Sequence, residues 1–167
     1  MTKQFSLSEV KVSSTPTERF EEFLQSRGMR ITRQRKAIVE EIFSQHEHFD
    51  AEVLLGRLQE GEQDVKVSRP TVYRTLNELE EAGLLRKMVL GGRSVYEHDY
   101  GYPQHDHLYC ERCGDLIEFQ TNQIDALREE VAKAHGFRVT GHRMIIFGVC
   151  QSCSVPRKRR SRPLDLI

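Results

Sequence analysis

The chain has 167 residues, 38% hydrophobic and 30% charged, and its 25 Lys and Arg balance its 25 Asp and Glu. That length holds one domain or two small ones, and no apolar run approaches the roughly 20 residues of a membrane-spanning helix. A formal net charge of zero excludes a bulk polycation, so nucleic-acid binding must come from local patches.

Two such patches exist: Arg30, Arg33, Arg35 and Lys36 near the start, and a basic run over 157–162. Residues 1–14 are mixed and polar, carry no signal-peptide pattern and read as a flexible arm. The expected location is cytoplasmic. In that reducing setting four Cys arranged as two C-x-x-C pairs favour a metal over disulfides.

The first helix is announced by Thr15-Pro16-Thr17-Glu18, a capping box with Pro at the first helical position. Phe20, Phe23 and Leu24 follow at helical spacing, and Gly28 ends the element. Thr32 is the predicted cap of a second helix with Ala37, Ile38, Ile42 and Phe43 inward. Asp50 is the predicted cap of a third, with Val53, Leu54 and Leu58 inward and Gly61 after it. Ser68 caps a fourth over 69–82, where Val72, Leu76 and Leu79 face in and Thr71, Tyr73, Arg74 and Asn77 face out.

Two strand-like runs, 84–90 and 93–97, flank Gly91-Gly92 and predict a hairpin. Short helices followed by such a hairpin make a winged helix-turn-helix, whose last helix enters the DNA major groove. Residues 99–104 contain Tyr-Gly-Tyr-Pro and read as a hinge. Strands are predicted at 106–109 and 116–119 around a Cys-Gly knuckle. A helix is predicted over 122–135 with Ile124, Leu127 and Val131 inward, and then a strand over 137–149. The second half is thus a small α+β unit.

Cys110-x-x-Cys113 and Cys150-x-x-Cys153 can each give two thiolates to a tetrahedral Zn²⁺ at about 2.3 Å, a closed and therefore structural site. A second set is His48, Glu97, His105, His107 and Glu118, far apart in sequence. If they meet, a metal bridges two domains, and mixed N and O donors suit Fe²⁺, Mn²⁺ or Zn²⁺. On a strand, His105 and His107 share one face and Asp106 takes the other. The opposite-face set is Asp106 with Asp125 and His142. Asp125 also falls early in its helix, where a carboxylate simply suits the dipole. For DNA, Ser68, Thr71, Tyr73 and Arg74 are the base- and phosphate-reading candidates, and Arg30, Arg33 and Arg35 would hold backbone or enter a minor groove.

Several motifs in order give the chain a family likeness: Arg-Pro-Thr-Val-Tyr-Arg-Thr-Leu at 69–76, Gly-Gly-Arg-Ser-Val-Tyr-Glu at 91–97, His-Asp-His-Leu-Tyr-Cys-Glu-Arg-Cys-Gly at 105–114, Ile-Glu-Phe at 117–119, His-Gly-Phe at 135–137 and Cys-Gln-Ser-Cys at 150–153. From about residue 20 to 153 it resembles the ferric uptake regulator family of bacterial metal-dependent repressors. The resemblance implies an N-terminal winged-helix domain and a C-terminal α/β dimerisation domain. It carries structural zinc onto Cys110, Cys113, Cys150 and Cys153, and a hinge sensing site onto His48, Glu97, His105, His107 and Glu118. It carries DNA contacts onto Arg30, Tyr73 and Arg74, and a further metal site onto Asp106, Asp125 and His142. Many members have a His before the His-Asp-His run; here that position is Gln104, a weak neutral ligand.

The reading is therefore an α+β chain: flexible arm 1–14, winged-helix DNA-binding domain 15–98, hinge 99–104, metal-binding dimerisation domain 105–155 and basic tail 156–167. The expected function is that of a homodimeric, Fe²⁺-dependent repressor of iron-uptake genes, with structural Zn²⁺ and with Mn²⁺ or Zn²⁺ as the other candidate sensing metals. Its expected target is double-stranded DNA with an A/T-rich inverted repeat, and no membrane or enzyme activity is expected. Zinc-uptake and peroxide-sensing regulation are the alternatives within the family. Glu97 and Glu118, where peroxide sensors rely on Asp, favour metal sensing. A metalloenzyme or a zinc-stabilised interaction module are the remoter rivals.

Overall fold

The structure, a computed structural model, describes residues 10–60 and 65–154. The basic run over 157–162, most of the N-terminal arm and Gly61 lie outside the described residues. The chain divides into two compact units, the first ending at Gln104 and the second beginning at His105.

In the first unit, α1 (Pro16–Ser26), α2 (Arg33–Phe43), α3 (Ala51–Glu60) and α4 (Arg69–Glu81) precede a hairpin of β1 (Leu85–Leu90) and β2 (Arg93–His98). The caps are local and chemical. Thr15 accepts from the Glu18 N–H while the Glu18 carboxylate accepts from the Thr15 N–H. Asp50 Oδ1 accepts from the N–H groups of Glu52 and Val53 at 3.0 and 2.9 Å. Gly91 and Gly92 both have positive φ, 56° and 79°, as a two-residue hairpin turn with the twist of its strands requires. Phe20, Leu24, Ile38, Ile42, Leu54, Leu58, Val72, Leu76, Leu79, Leu84, Leu85 and Tyr96 form one buried cluster.

Two inward and outward assignments change. Val53 is exposed and Leu55 is buried, because the inner stripe of α3 runs Ala51, Leu54, Leu55, Leu58. Thr71 is buried rather than outward. It begins the i, i+4 row Thr71–Thr75–Leu79 beside Val72 and Leu76, and its hydroxyl lies 2.8 Å from Ser68 Oγ. The face of α4 left to solvent carries Tyr73, Arg74 and Asn77.

The second unit has β3 (Asp106–Cys110), β4 (Leu116–Phe119), α5 (Asn122–Ala134), β5 (Ile145–Gly148) and the short α6 (Gln151–Ser154), with strand order β4-β3-β5. β3 pairs antiparallel with β4 and parallel with β5. The strand expected over 137–149 is confined to Ile145–Gly148, where β5 can pair with β3; residues 137–144 take no regular structure. Leu127 and Val131 do not face inward: they are 60% and 51% exposed in the single chain. The apolar row Ile117–Leu108–Ile146 across the sheet is likewise exposed, so α5 does not cover it in the single chain.

Arg35 joins α2 to α4. Its Nε and Nη2 donate to the two carboxylate oxygens of Glu78 at 2.9 and 2.6 Å, and its Nη1 donates to the Arg30 carbonyl. Both side chains are only 13% exposed. The guanidinium expected on DNA is thus turned inward onto a bidentate partner. Breaking a largely buried pair strands its remaining charge and costs about 3 kcal/mol. Urea unfolding of Glu78→Ala should show that loss, and Arg35→Met/Glu78→Leu should recover most of it. Wild-type stability in Glu78→Ala would show that the pair contributes nothing to holding α4.

Candidate metal centres and nucleic-acid interface

The four cysteines meet because β3 and β5 run parallel. Their C-terminal ends lie at one end of the sheet, with Cys110 opposite Gly148, and each strand leads directly into a C-x-x-C turn. Gly114, with φ 77°, lets the first turn reverse, and Gly114 N–H donates to the Cys110 carbonyl. The second turn is closed by the Cys153 and Ser154 N–H groups on the Cys150 carbonyl, and Arg112 reaches across to the Cys153 carbonyl at 2.7 Å.

The four sulfurs all lie within 4.8 Å of one another, and Cys113 Sγ is 3.7 Å from Cys150 Sγ. A tetrahedron of sulfurs about 2.3 Å from a Zn²⁺ has edges of about 3.8 Å, so the donor set fits that ion. N–H groups of Cys150 and Cys113 pointing at Cys110 lower its thiol to about 6. Hydrogen bonding with Cys150 and Cys113 pushes Cys153 up to about 12. Four clustered thiols resist joint ionisation unless a cation offsets the repulsion, which is what a bound dication does.

The His and carboxylate set is divided between the two units. In the first, His48 Nε2 lies 3.3 Å from Glu97 Oε2; His48 precedes the Phe49–Tyr96 bridge that ties this segment to β2. In the second, His107 sits opposite Glu118 in the β3–β4 register. His105 Nε2 is 3.7 Å from Glu118 Oε1, and the two imidazoles are 4.7 Å apart between centroids. One ligand atom from each of His105, His107 and Glu118 can be chosen so that all lie within 4.8 Å. Three donors at that spacing fit one face of a mixed N and O metal sphere with positions to spare.

The opposite-face set is arranged differently. His142 Nε2 lies 3.1 Å from Asp106 Oδ2, and the Met144 N–H donates to Asp106 Oδ1 at 3.1 Å. Asp125 is not brought to them directly. Its carboxylate pairs with Arg128 Nη1 at 3.0 Å, and that same nitrogen is 2.9 Å from His142 Nδ1. Arg128 thus stands between Asp125 and His142, two of the three residues onto which the resemblance carries a further metal.

On the candidate DNA face, Arg30, Ser68, Tyr73 and Arg74 are exposed, whereas Thr71 and Arg35 are engaged in the fold. Sequence reading missed Glu52. Its carboxylate accepts from Tyr73 Oη at 3.2 Å and from Arg69 Nη2 at 2.6 Å, and the Glu52 bond raises the Tyr73 phenol above its ordinary value. A Glu in the first turn of α3 reads simply as a dipole-favoured residue, so no local signal marked it.

The model of the family described as "Ferric uptake regulator family" matches residues 26–147. The ferric uptake regulation protein of Campylobacter jejuni is 36% identical over 137 residues, 82% of this chain and 87% of its own. Among solved structures, the Vibrio cholerae ferric uptake regulator aligns with a TM-score of 0.65 at 32% identity, covering 78% of this chain and 98% of that one. A zinc-bound manganese uptake regulator aligns at 0.58 and 39% identity, covering 78% and 98%. The fold, the motifs and these likenesses agree, and the chain belongs to the ferric uptake regulator family.

Proposed function

We propose that this protein is a homodimeric repressor that binds an inverted-repeat operator when Fe²⁺ is held jointly by its two units. The observation that carries the reading is the division of the donors. His48 and Glu97 stand together in the unit that bears α4, and His105, His107 and Glu118 stand together in the other. Neither set alone completes a coordination sphere, and only residues 99–104 separate Glu97 and His98 from the second set in sequence.

A divalent cation supplies one positive centre that all five donors can share. The chain's own part is to convert that sharing into orientation. Joining the half-sets restricts the segment over 99–104 and selects an arrangement in which two α4 helices meet successive major grooves, about one helical turn apart. Moving such an equilibrium from 1:99 to 99:1 needs about 5.5 kcal/mol of differential metal affinity. By linkage, operator DNA tightens metal binding by the same factor that metal tightens DNA binding. Tyr73 and Arg74, exposed on α4, are suited to base edges and phosphate, and Arg30 to phosphate.

Dimerisation is supported by the exposed apolar row Ile117–Leu108–Ile146, with Phe147 and Val149 on β5 and beyond, and Leu127 and Val131 on α5. So many exposed apolar side chains in one small unit point to an interface. Structural Zn²⁺ in the four-Cys cluster is supported by its sulfur spacing. Iron is favoured by donors that include no thiolate and by relatives named for ferric uptake. The 39% likeness to a manganese uptake regulator makes manganese the second reading.

The deciding experiment is fluorescence anisotropy with an A/T-rich inverted-repeat duplex at fixed salt, using protein that keeps its zinc, with Fe²⁺ added anaerobically and Mn²⁺ or Zn²⁺ in separate runs. Binding that appears with Fe²⁺ supports the reading; a response to Mn²⁺ or Zn²⁺ alone reassigns the metal; no metal-dependent binding to this or a randomised pool sinks the function. In the same assay His107→Ala should lose metal-dependent binding while sedimentation still shows a zinc-loaded dimer. Cys113→Ser should lose zinc and dissociate, and a stable zinc-free dimer would remove the structural role of the cluster. Tyr73→Ala should reduce operator affinity about tenfold or more and leave binding to random duplex nearly unchanged; equal losses on both would make Tyr73 a backbone contact only.

A further inference from the structure

The site that the family resemblance carries onto Asp106, Asp125 and His142 does not fit a metal in this chain. We infer that the Arg128 guanidinium is the permanent cation of that site, so that no divalent ion binds there and the labile metal of each protomer is confined to the sensing set.

Arg128, His142 and Asp106 form a hydrogen-bonded chain. An arginine can only donate. Arg128 Nη1 lies 2.9 Å from His142 Nδ1, so Nδ1 is placed to accept and Nε2 to carry the ring proton. Nε2 then donates to Asp106 Oδ2 at 3.1 Å. Asp106 Oδ1 is taken by the Met144 N–H at 3.1 Å. Arg128 Nη1 also pairs with Asp125 Oδ1 at 3.0 Å, and its Nε and Nη2 reach Glu129 Oε1 at 3.2 and 3.0 Å. A metal on His142 would have to displace either the arginine from Nδ1 or the proton from Nε2. It would then sit beside a fixed positive charge that does not deprotonate.

The sequence agrees from a separate position. Residue 104, where many family members place a further His, is Gln, and its side-chain carbonyl accepts from Arg86 Nη2 at 3.5 Å. The position of the family's further His thus holds a weak ligand, and Asp125 and His142 are tied to Arg128. The consequence is functional. Helix α5 is joined to the start of β3 by side chains at all metal concentrations, so this joint does not report on metal. The response of each protomer is that of one labile ion.

The test is the metal count of the full-length, zinc-containing protein loaded with Mn²⁺, read by native mass spectrometry and elemental analysis. The expected result is one Zn and one Mn per protomer, with both retained in His142→Ala. A third ion in the wild-type protein that disappears in His142→Ala overturns the inference. Whether His107→Ala loses its Mn²⁺ bears on the sensing set alone, so the two readings fail separately. The double substitution Gln104→His/Arg128→Ala should gain a third ion. A folded double variant that still holds two would show that Arg128 is not what excludes the metal.

Discussion

Everything chemical in the second unit depends on how β3 is paired. Parallel pairing with β5 sets Cys110 opposite Gly148, which delivers both C-x-x-C turns to one end of the sheet. Antiparallel pairing with β4 sets His107 opposite Glu118. The pleat then sorts four residues among three tasks: His107 to one face, Asp106 and Leu108 to the other, and Cys110 to the strand end. A shift of one residue in register would exchange the faces and disassemble the sensing set and the apolar row together.

The first unit solves a different problem, that of presenting one helix firmly. α4 is held from beneath by Val72, Leu76 and Leu79 in the common cluster and from the side by Arg35 on Glu78. Its outer face is also prearranged, since Glu52 engages Tyr73 and Arg69 at once. Any group that takes up Tyr73 or Arg69 must first displace that carboxylate, so only a ligand offering more than Glu52 releases them.

Local chemistry was legible in the sequence. The caps at Thr15, Thr32, Asp50 and Ser68, the double-Gly hairpin and the C-x-x-C spacing each depend on a few adjacent residues, and the structure carries them all. What escaped was decided by partners distant in the chain. Arg35 looks like one more cation in a basic patch until Glu78, 43 residues on, takes it. Thr71 looks polar and outward until the row it shares with Thr75 turns inward. Arg128 looks like a solvated helix residue until His142 arrives beside it. The inward assignment of Leu127 and Val131 failed for another reason: amphipathic spacing identifies a face that needs cover without saying whether the same chain supplies it.

The interior of the second unit is unusual in what it contains. Among its described residues, the buried hydrophobic side chains are Cys110 and Ala132, while His105, Asp106 and His107 are buried polar groups. Hydrocarbon that would ordinarily form a core, such as Leu108, Ile117, Leu127, Val131 and Ile146, lies on the outside. A fold of this size with so little oil of its own cannot draw its cohesion from collapse. Any ion or second copy that binds the folded chain in preference to the unfolded one adds directly to its stability. Its melting point then becomes a function of how much metal and how much protein are present, and scarcity of either is felt first as a loosening of structure.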